Sequence, residues 1–415
     1  MTEPVPQFAK KWLTQADNCR KILVDVREAL ERGIPADRTL AKIYRENRCY
    51  GSRDRQFFYL AIFAWFRWYG WIRKIPGEDD VKRLLAALVT EGVEPVPPAM
   101  AVLAGDPDFK IPAGDTPEAR FKAFTGLDAV TEELVPDWTL IRFAEGAESR
   151  YLPYLKSRSP LWVRVIPGAD AAVTGEWREN GLDFTPHETI PGVYRFPNER
   201  IRFDAMRTWK QGLFEVQDLS SQCIGLAAGA SAGEDWLDAC SGGGGKTLQL
   251  AAMMNGRGSI TVYDIREKKL DELEERTART PFRNMIRREK GNDRQYDGIL
   301  IDAPCSSSGR WRRNPDGRWS LTAEQVAEIN AVQYEILCKR ASQVRCGGKL
   351  VYGTCSVFAE ENCNTVRRFL EEHPAFELVS FPCPWNGKTV EGMLQTFSGD
   401  GDCDGSFAAV MRRKV

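Results

Sequence analysis

The chain has 415 residues, more than one hydrophobic core usually organises, so two or three domains are expected. No stretch approaches the roughly 18 uninterrupted apolar residues of a membrane span, and the 11 cysteines are scattered with no Cys-x-x-Cys pair, which disfavours a secreted disulfide scaffold and a structural zinc site. With a net charge of -1 and a pI of about 6.3 the chain lacks the bulk basic signature of nucleic-acid binders, so any such contact must be local. The expectation is a cytoplasmic monomer with no metal and no membrane attachment.

Residues 1–90 read as an all-helical domain. Apolar residues recur at helical spacing, as in Ile22, Val26, Ala29 and Leu30, then Leu40, Ile43 and Tyr44. The aromatic run Phe57, Phe58, Phe63, Trp65, Phe66, Trp68, Tyr69 and Trp71 is read as core, with a base-stacking platform as the alternative. Residues 91–136, dense in Pro and Gly, read as a connecting segment. Residues 137–225 carry short strand-like runs at 161–166 and 193–196 among turn residues, which predicts a small α/β subdomain. From 226 to 415 apolar strands at 236–238, 260–263, 298–301 and 349–352 alternate with helical stretches, the pattern of a doubly wound, mainly parallel sheet.

The first strand of that sheet runs into Asp-Ala-Cys-Ser-Gly-Gly-Gly-Gly-Lys-Thr at 238–247, ahead of an apolar helix. Glycines there let the backbone approach a ligand and leave helix N-terminal amides free to bind it. The turn ends like a phosphate loop, but that loop needs Gly where Cys240 stands. A hydrolase of ATP or GTP is therefore disfavoured. Cys240, Ser241, Gly242, Gly243, Gly244, Gly245 and Lys246 are the candidate cofactor loop, suited equally to nucleotides, dinucleotides and adenosyl cofactors. Asp264 closes the next strand about 20 residues later, where such folds place an acid on ribose hydroxyls; the competing reading is a cap for the helix that follows.

Two further strands end alike, in Asp-Ala-Pro-Cys-Ser at 302–306 and Thr-Cys-Ser at 354–356. Both deliver a cysteine to the carboxyl edge of the sheet, where open α/β folds keep their chemistry. Cys19, Cys49, Cys223, Cys338 and Cys346 read instead as small core residues, whereas a cysteine past a strand end among small polar neighbours has the access and the donors a reactive thiolate needs. The two His, His187 and His373, lie in no motif, which argues against a Cys–His protease.

These three motifs, in this order and spacing, resemble those of the Sun (Fmu, RsmB) family of RNA 5-methylcytosine methyltransferases, with further matches in Glu-Val-Gln-Asp-Leu-Ser-Ser-Gln at 215–222, Arg-Arg-Asn-Pro-Asp at 312–316 and Asp-Gly-Ser-Phe at 404–407. The resemblance spans about 138–414, and Gly-Ser-Arg-Asp-Arg at 51–55 faintly resembles the NusB-like helical domain of ribosomal RNA members. It implies a Rossmann-like, S-adenosylmethionine-dependent methyltransferase domain behind a small α/β RNA-binding subdomain. It also implies that Cys355 adds to carbon 6 of cytosine, that Cys305 assists release after transfer to carbon 5, and that Asp302 and Lys246 support that chemistry and, with the glycine loop and Asp264, the cofactor. Two departures stand out. The family's usual Ala-Ala-Pro-Gly-Gly is Ser-Gly-Gly-Gly-Gly at 241–245, and the segment that usually carries an adenine-contacting acid is short, leaving Glu289, Asn292 and Asp293 as candidates.

The loop after Cys305 mixes Arg310, Arg312, Arg313 and Arg318 with Trp311 and Trp319, a composition suited to phosphate contact and base stacking, or else a surface loop with core tryptophans. A second cluster, Arg283, Arg287, Arg288 and Lys290, reads equally as a solvated face. The expected partner is RNA, ribosomal by the implied front domain. The rival reading is a catalytically silent RNA-binding ribosome-assembly factor, which the intact cysteine pair opposes.

Overall fold

The computed structural model describes residues 9–197, 201–290 and 294–414. They form two units: one runs to Ile141 and includes Leu152–Ser157 and Trp311–Thr322, and the other comprises Arg142–Tyr151, Arg158–Arg310 and the chain from Ala323 on.

The first unit is helical. Helices α1 (Lys10–Glu31), α2 (Ala36–Glu46), α3 (Ser52–Ile72) and α4 (Asp80–Glu91) follow the expected periodicity. In α3 the residues Phe57, Phe58, Phe63, Trp65, Phe66, Trp68 and Trp71 are all buried, so the aromatic run is core apart from Tyr69, which is partly exposed. Residues 91–136, expected as a connection, instead fold into the same unit with α5 (Pro98–Ala104) and α6 (Pro117–Thr125). Their Pro and Gly residues bound short helices: Pro98 and Pro117 open them, Thr116 caps α6, and Gly92, Gly105 and Gly126 end α4, α5 and α6 in the left-handed conformation. Phe121 of α6 is fully buried beside Trp71. The helical unit thus continues well past residue 90.

The second unit contains two sheets. Strands β1 (Leu161–Val165), β2 (Thr185–Pro186), β3 (Val193–Phe196) and β4 (Phe214–Val216) make an antiparallel sheet in the order β2-β3-β1-β4. Trp177, on the helix Asp170–Glu179, is buried with its ring edge-on to Tyr194, Phe196 and Phe214. The larger sheet uses β5 (Asp235–Asp238), β6 (Ser259–Val262), β7 (Ile286–Arg288), β8 (Tyr296–Asp302), β9 (Val344–Thr354) and β10 (Phe376–Leu378). A hairpin of β11 (Phe381–Pro382) and β12 (Thr389–Val390) precedes β13 (Met393–Thr396) and β14 (Ser406–Arg413). The order is β10-β14-β9-β8-β5-β6-β7, with β13 paired to β14; β7, β6, β5, β8 and β9 are parallel and β14 runs antiparallel beside β9.

Both faces of β5, β6, β8 and the later part of β9 are buried, which is why their sequences read as largely apolar runs, whereas the edge strand β7 (Ile-Arg-Arg) is partly exposed. Side chains alternate: Trp236, Leu300 and Val351 point to one face, and Leu237, Ile299, Ile301, Leu350 and Tyr352 to the other. The first face shares one core with Val163 and Phe214 of the small sheet and with Trp177 of the helix packed on it. The expected subdomain 137–225 is therefore no separate body. The chain order reverses between β5 and β8, so the crevice at their carboxyl ends is the topological switch point at which such sheets bind ligands. Among the described residues no helix is long and apolar enough to cross a membrane.

Gly298 lies opposite Trp236 in the parallel ladder, and a methyl group there would come within 2.4 Å of the indole. Gly175, inside the helix Asp170–Glu179, has open space at the same position. Gly298→Ala is expected to destabilise the protein by about 1–3 kcal/mol through overpacking. Gly175→Ala should stabilise it by about 0.5–1 kcal/mol through helix propensity. Equilibrium urea unfolding of both variants checks the opposite signs.

Candidate active site

The carboxyl ends of β5, β6, β8 and β9 converge on one cleft. Leaving β5, the chain turns through Ser241 and Gly242–Gly244 into the helix Gly245–Met253. Gly242 and Gly244 have positive φ (50° and 85°), and any side chain on Gly244 would strike Leu273, so glycine is required at 244 on both counts. The cleft is lined by Ser221, Asp238, Cys240, Ser241, Gly242, Gly243, Gly245, Lys246, Arg276 and Asp302. The expected cofactor loop thus lines a single cavity, with Gly244 shaping its turn from behind. Arg276 donates to the carbonyl of Gly243 and, with Arg279, to the buried carboxylate of Glu215, which ties the turn to the small sheet. Sequence reasoning missed both Arg276 and Ser221.

Lys246 does more than close the turn: its ammonium donates to Asp302 Oδ2 at 2.8 Å and Ser221 Oγ at 2.9 Å. Burial alone would lower the Lys246 ammonium, but the adjacent Asp302 outweighs it and raises it above the ordinary lysine value. Asp238 is fully buried. Its Oδ2 accepts from Thr247 at 2.7 Å, while Oδ1 has no hydrogen-bond partner among the described residues. Desolvation, aided by the neighbouring charge of Asp302, pushes its carboxyl up to about 7. Asp264 sits at the predicted place past β6, but Arg266 and Gly242 occupy it: Oδ1 accepts from Arg266 N and Nε, and Oδ2 from Gly242 N and Arg266 Nη2. Burial raises this carboxyl, and the Arg266 hydrogen bonds more than reverse that, holding it below the usual range. The helix that follows begins at Glu267 and is capped by Arg266, so Asp264 is not its cap. Glu289 is buried in a two-pronged ion pair with Arg340, at 2.8 and 3.0 Å; Asn292 and Asp293 lie outside the described residues.

The two motif cysteines meet. Cys305 Sγ and Cys355 Sγ are 3.2 Å apart, and Cys355 also contacts Ser307 Oγ at 3.5 Å. Two thiols this close share one proton more readily than they both ionise. The hydrogen bond from Cys305 lowers Cys355 below the usual thiol value against the opposing effect of burial, with further help from the positive charge of Arg310 and from Ser307. The same hydrogen bond, together with burial and the charge of Glu361, raises Cys305 well above it. Of the two thiols, Cys355 is the one whose ionisation its surroundings favour. Cys240, in the cofactor cleft, is pushed up to about 12 by burial.

The arginine loop divides. Arg310 is about half exposed, with its guanidinium 4.0 Å from Asp404, and it remains available to a ligand. Arg312 does not: it is 4% exposed and donates to Ser157 Oγ over the ring of Tyr154. Arg318 is fully buried, donating to the carbonyls of Pro315, Leu134 and Trp311. These two guanidiniums are turned into the interior of the helical unit, Arg318 onto carbonyls and Arg312 onto a serine hydroxyl, which corrects the expectation of phosphate contact at Arg312 and Arg318. Trp311 is buried, and Arg313 is partly exposed. Arg288 of the second cluster is enmeshed with Glu267, Asp271 and Glu274, a solvated ion-pair face. Among the cysteines assigned to the core, Cys19 and Cys223 are buried and Cys338 partly so, whereas Cys49, in the turn before α3, and Cys346, at the projecting start of β9, are exposed.

A parallel sheet with a glycine turn after its first strand and a polar cleft at its switch point is a Rossmann-like, doubly wound architecture, and its relatives place it among the S-adenosylmethionine-dependent methyltransferases. The family model for the 16S rRNA methyltransferase RsmB/F matches residues 227–412. Ribosomal RNA small subunit methyltransferase B of Cronobacter sakazakii is 30% identical over 306 residues, covering 70% of this chain and 68% of that protein. Its namesake from Citrobacter koseri is 28% identical over 313 residues, covering 72% and 68%. The chain belongs to this Sun (RsmB) family. Of solved structures, PH0851 superposes with a TM-score of 0.70 at 21% identity, covering 95% of this chain and 98% of that one. NSun6 from Pyrococcus horikoshii with SFG gives 0.56 at 14%, covering 67% and 97%. Both share the fold.

Asp238 yields a pH signature. Its carboxyl titrates near 7 when folded and near 3.9 when unfolded. Below about pH 3.9 it is neutral in both states and costs nothing; as pH rises towards 7 the unfolded chain releases the proton first, and stability is lost at up to about 1.4 kcal/mol per pH unit. Asp238→Asn should therefore gain stability relative to the native protein between pH 4 and 7 and hold that gain above 7. A pH-independent difference between the two urea-unfolding curves would contradict the assignment.

Proposed function

We propose that this protein methylates carbon 5 of a cytosine in ribosomal RNA, with Cys355 as nucleophile and Cys305 as the group that completes release. The observation that carries this reading is the pair of thiols 3.2 Å apart, oppositely shifted, at the strand ends beside the Lys246–Asp302 pair. Ribosomal RNA as the substrate rests on the names of the relatives.

The residues present fit an adenosyl amino-acid cofactor. The glycine turn of Gly242–Gly245 gives close backbone approach, and Asp238, which lines the cleft and whose Oδ1 has no partner among the described residues, offers an acceptor for an ammonium group. Asp264 can serve ribose hydroxyls only once Arg266, whose side chain is 61% exposed, swings away. When bound, S-adenosylmethionine supplies a sulfonium methyl group.

Carbon 5 of cytosine is a weak nucleophile. Addition of the Cys355 thiolate to carbon 6 forms an S–C6 bond and moves the ring's double-bond electrons towards carbon 5, which can then take the methyl group. Asp302, held by Lys246, is placed to hydrogen-bond the ring as charge develops on it. Once its sulfur is bonded to carbon 6, Cys355 no longer accepts the proton of Cys305, and the main cause of that thiol's resistance to ionisation is gone. Cys305 loses its proton to water and takes the one on carbon 5; that electron pair restores the C5–C6 double bond and Cys355 leaves as thiolate. A cytosine reaches sulfurs recessed at the sheet edge only when unstacked, and Arg310, half exposed beside them, is the residue best placed to meet its phosphates.

In Cys305→Ala, turnover on ribosomal RNA should fall on the order of 10²–10⁴-fold, and RNA should stay covalently attached to protein under denaturing conditions. Cys305→Ala/Cys355→Ala should form no adduct. If the native protein transfers methyl groups to no RNA and neither variant traps any, the reading fails.

A further inference from the structure

A buried carboxylate joins the two cysteine motifs. Glu361 follows β9 and is 0% exposed. Its Oε1 accepts from the backbone amide of Ser306 at 2.8 Å and from Gln333 Nε2 at 2.9 Å; its Oε2 accepts from Ser306 Oγ and Ser356 Oγ, each at 2.5 Å. Ser306 and Ser356 are the residues immediately after Cys305 and Cys355. Gln333 also donates to the carbonyl of Pro304, so the residues on both sides of Cys305 are held from one point. Beyond Cys355, Asn362 Nδ2 donates to the Ser356 carbonyl, and its Oδ1 accepts from Thr354 Oγ1 at 2.6 Å.

We infer that Glu361 is the positioning residue of the thiol pair: through Ser306 and Ser356 it holds the two cysteine-bearing loops in one register and fixes which sulfur keeps the proton. The inference rests on the proposed two-thiol reaction. A loop past a strand end has no ladder partner to fix its backbone, and small displacements of reacting groups are costly in rate. Glu361 supplies the missing constraint to both loops at once. It also acts by charge. The groups around the sulfurs are Asp302 from β8, Lys246 from the helix Gly245–Met253, Arg310 from the Cys305 loop and Glu361 from the turn after β9. Arg310 favours the thiolate at Cys355, and Glu361 disfavours it at Cys305. Removing the Glu361 charge removes one reason for Cys305 to remain protonated.

The test uses the full-length chain and its Glu361→Gln variant without RNA. Iodoacetamide alkylation of Cys305 and Cys355 is followed separately across pH by peptide mass spectrometry, and single-turnover methyl transfer to ribosomal RNA is measured in parallel. Expected is an acidward shift of the Cys305 alkylation midpoint, so that the two profiles converge, together with a fall in transfer on the order of a hundredfold and unchanged S-adenosylmethionine affinity by calorimetry. Where Glu361→Gln does not fold, Ser306→Ala and Ser356→Ala carry the test, each moving the profile of its own neighbouring cysteine. Unmoved profiles in a folded variant, or transfer within about twofold of native, would overturn the inference. The alkylation readout needs no RNA, so it stands or falls apart from whether ribosomal RNA is the substrate.

Discussion

The site depends on two sulfurs being brought within 3.2 Å of each other from positions 50 residues apart in the chain. Parallel pairing achieves it. Asp302 of β8 is in register with Gly353 of β9, and the amide of Ala303 continues the ladder onto the Gly353 carbonyl. Both strands therefore end at the same level, and a cysteine shortly beyond each lands at the same edge. Parallel strands need a long crossover, supplied here by the helix Ala323–Ala341, and burial on both faces, supplied by the two cores. Close packing continues past the ladder: Gly309 donates to the Cys355 carbonyl, and a side chain at 309 would collide with Gly405 O and Cys355 O. The Asp-Gly-Ser-Phe segment at 404–407 is thus the wall against which the Cys305 loop is pressed.

Given that proximity, charge placement decides the roles of otherwise equivalent thiols. One proton serves two sulfurs, and a positive group on one side with a negative group on the other breaks the tie. The cofactor cleft repeats the arrangement with carboxylates. Asp238 and Asp302 flank Lys246, which makes its hydrogen bond to Asp302. The ion pair goes to Asp302, and Asp238, fully buried, is left to titrate near neutrality.

Much of this was legible in the sequence because it is local. Strand ends in polar residues, the glycine turn and the paired Cys-Ser motifs are short-range patterns, and the aromatic helix behaved as core because helical density of that kind has to be buried. Three features were not legible. The Pro and Gly of 91–136 bound short helices, and the same punctuation serves a linker or a cap until a partner such as Trp71 is known. Arg312 and Arg318 carry the composition of a phosphate-binding loop, but an arginine that serves interior acceptors is distinguished only by where those acceptors are in space. Glu361 has no motif of its own in a single sequence, since its meaning lies in two serines 50 residues apart that converge on it.

Thermodynamics bears on why such a centre persists. A fully buried carboxylate with several polar donors around it, next to two partly buried thiols, is an expensive way to fill an interior: apolar side chains of similar volume commonly stabilise a fold as well or better. Asp238, which lines the cleft and has one oxygen without a partner among the described residues, adds to that cost. A protein selected only to bind RNA gains nothing from either group, and mutation would tend to replace them with groups the fold prefers. A two-thiol reaction needs both, one to hold the sulfurs in register and one to meet a cationic ligand. The polar interior at the end of β5, β8 and β9 is therefore easier to explain as reactive machinery than as scaffold, and it weighs against a catalytically silent assembly factor.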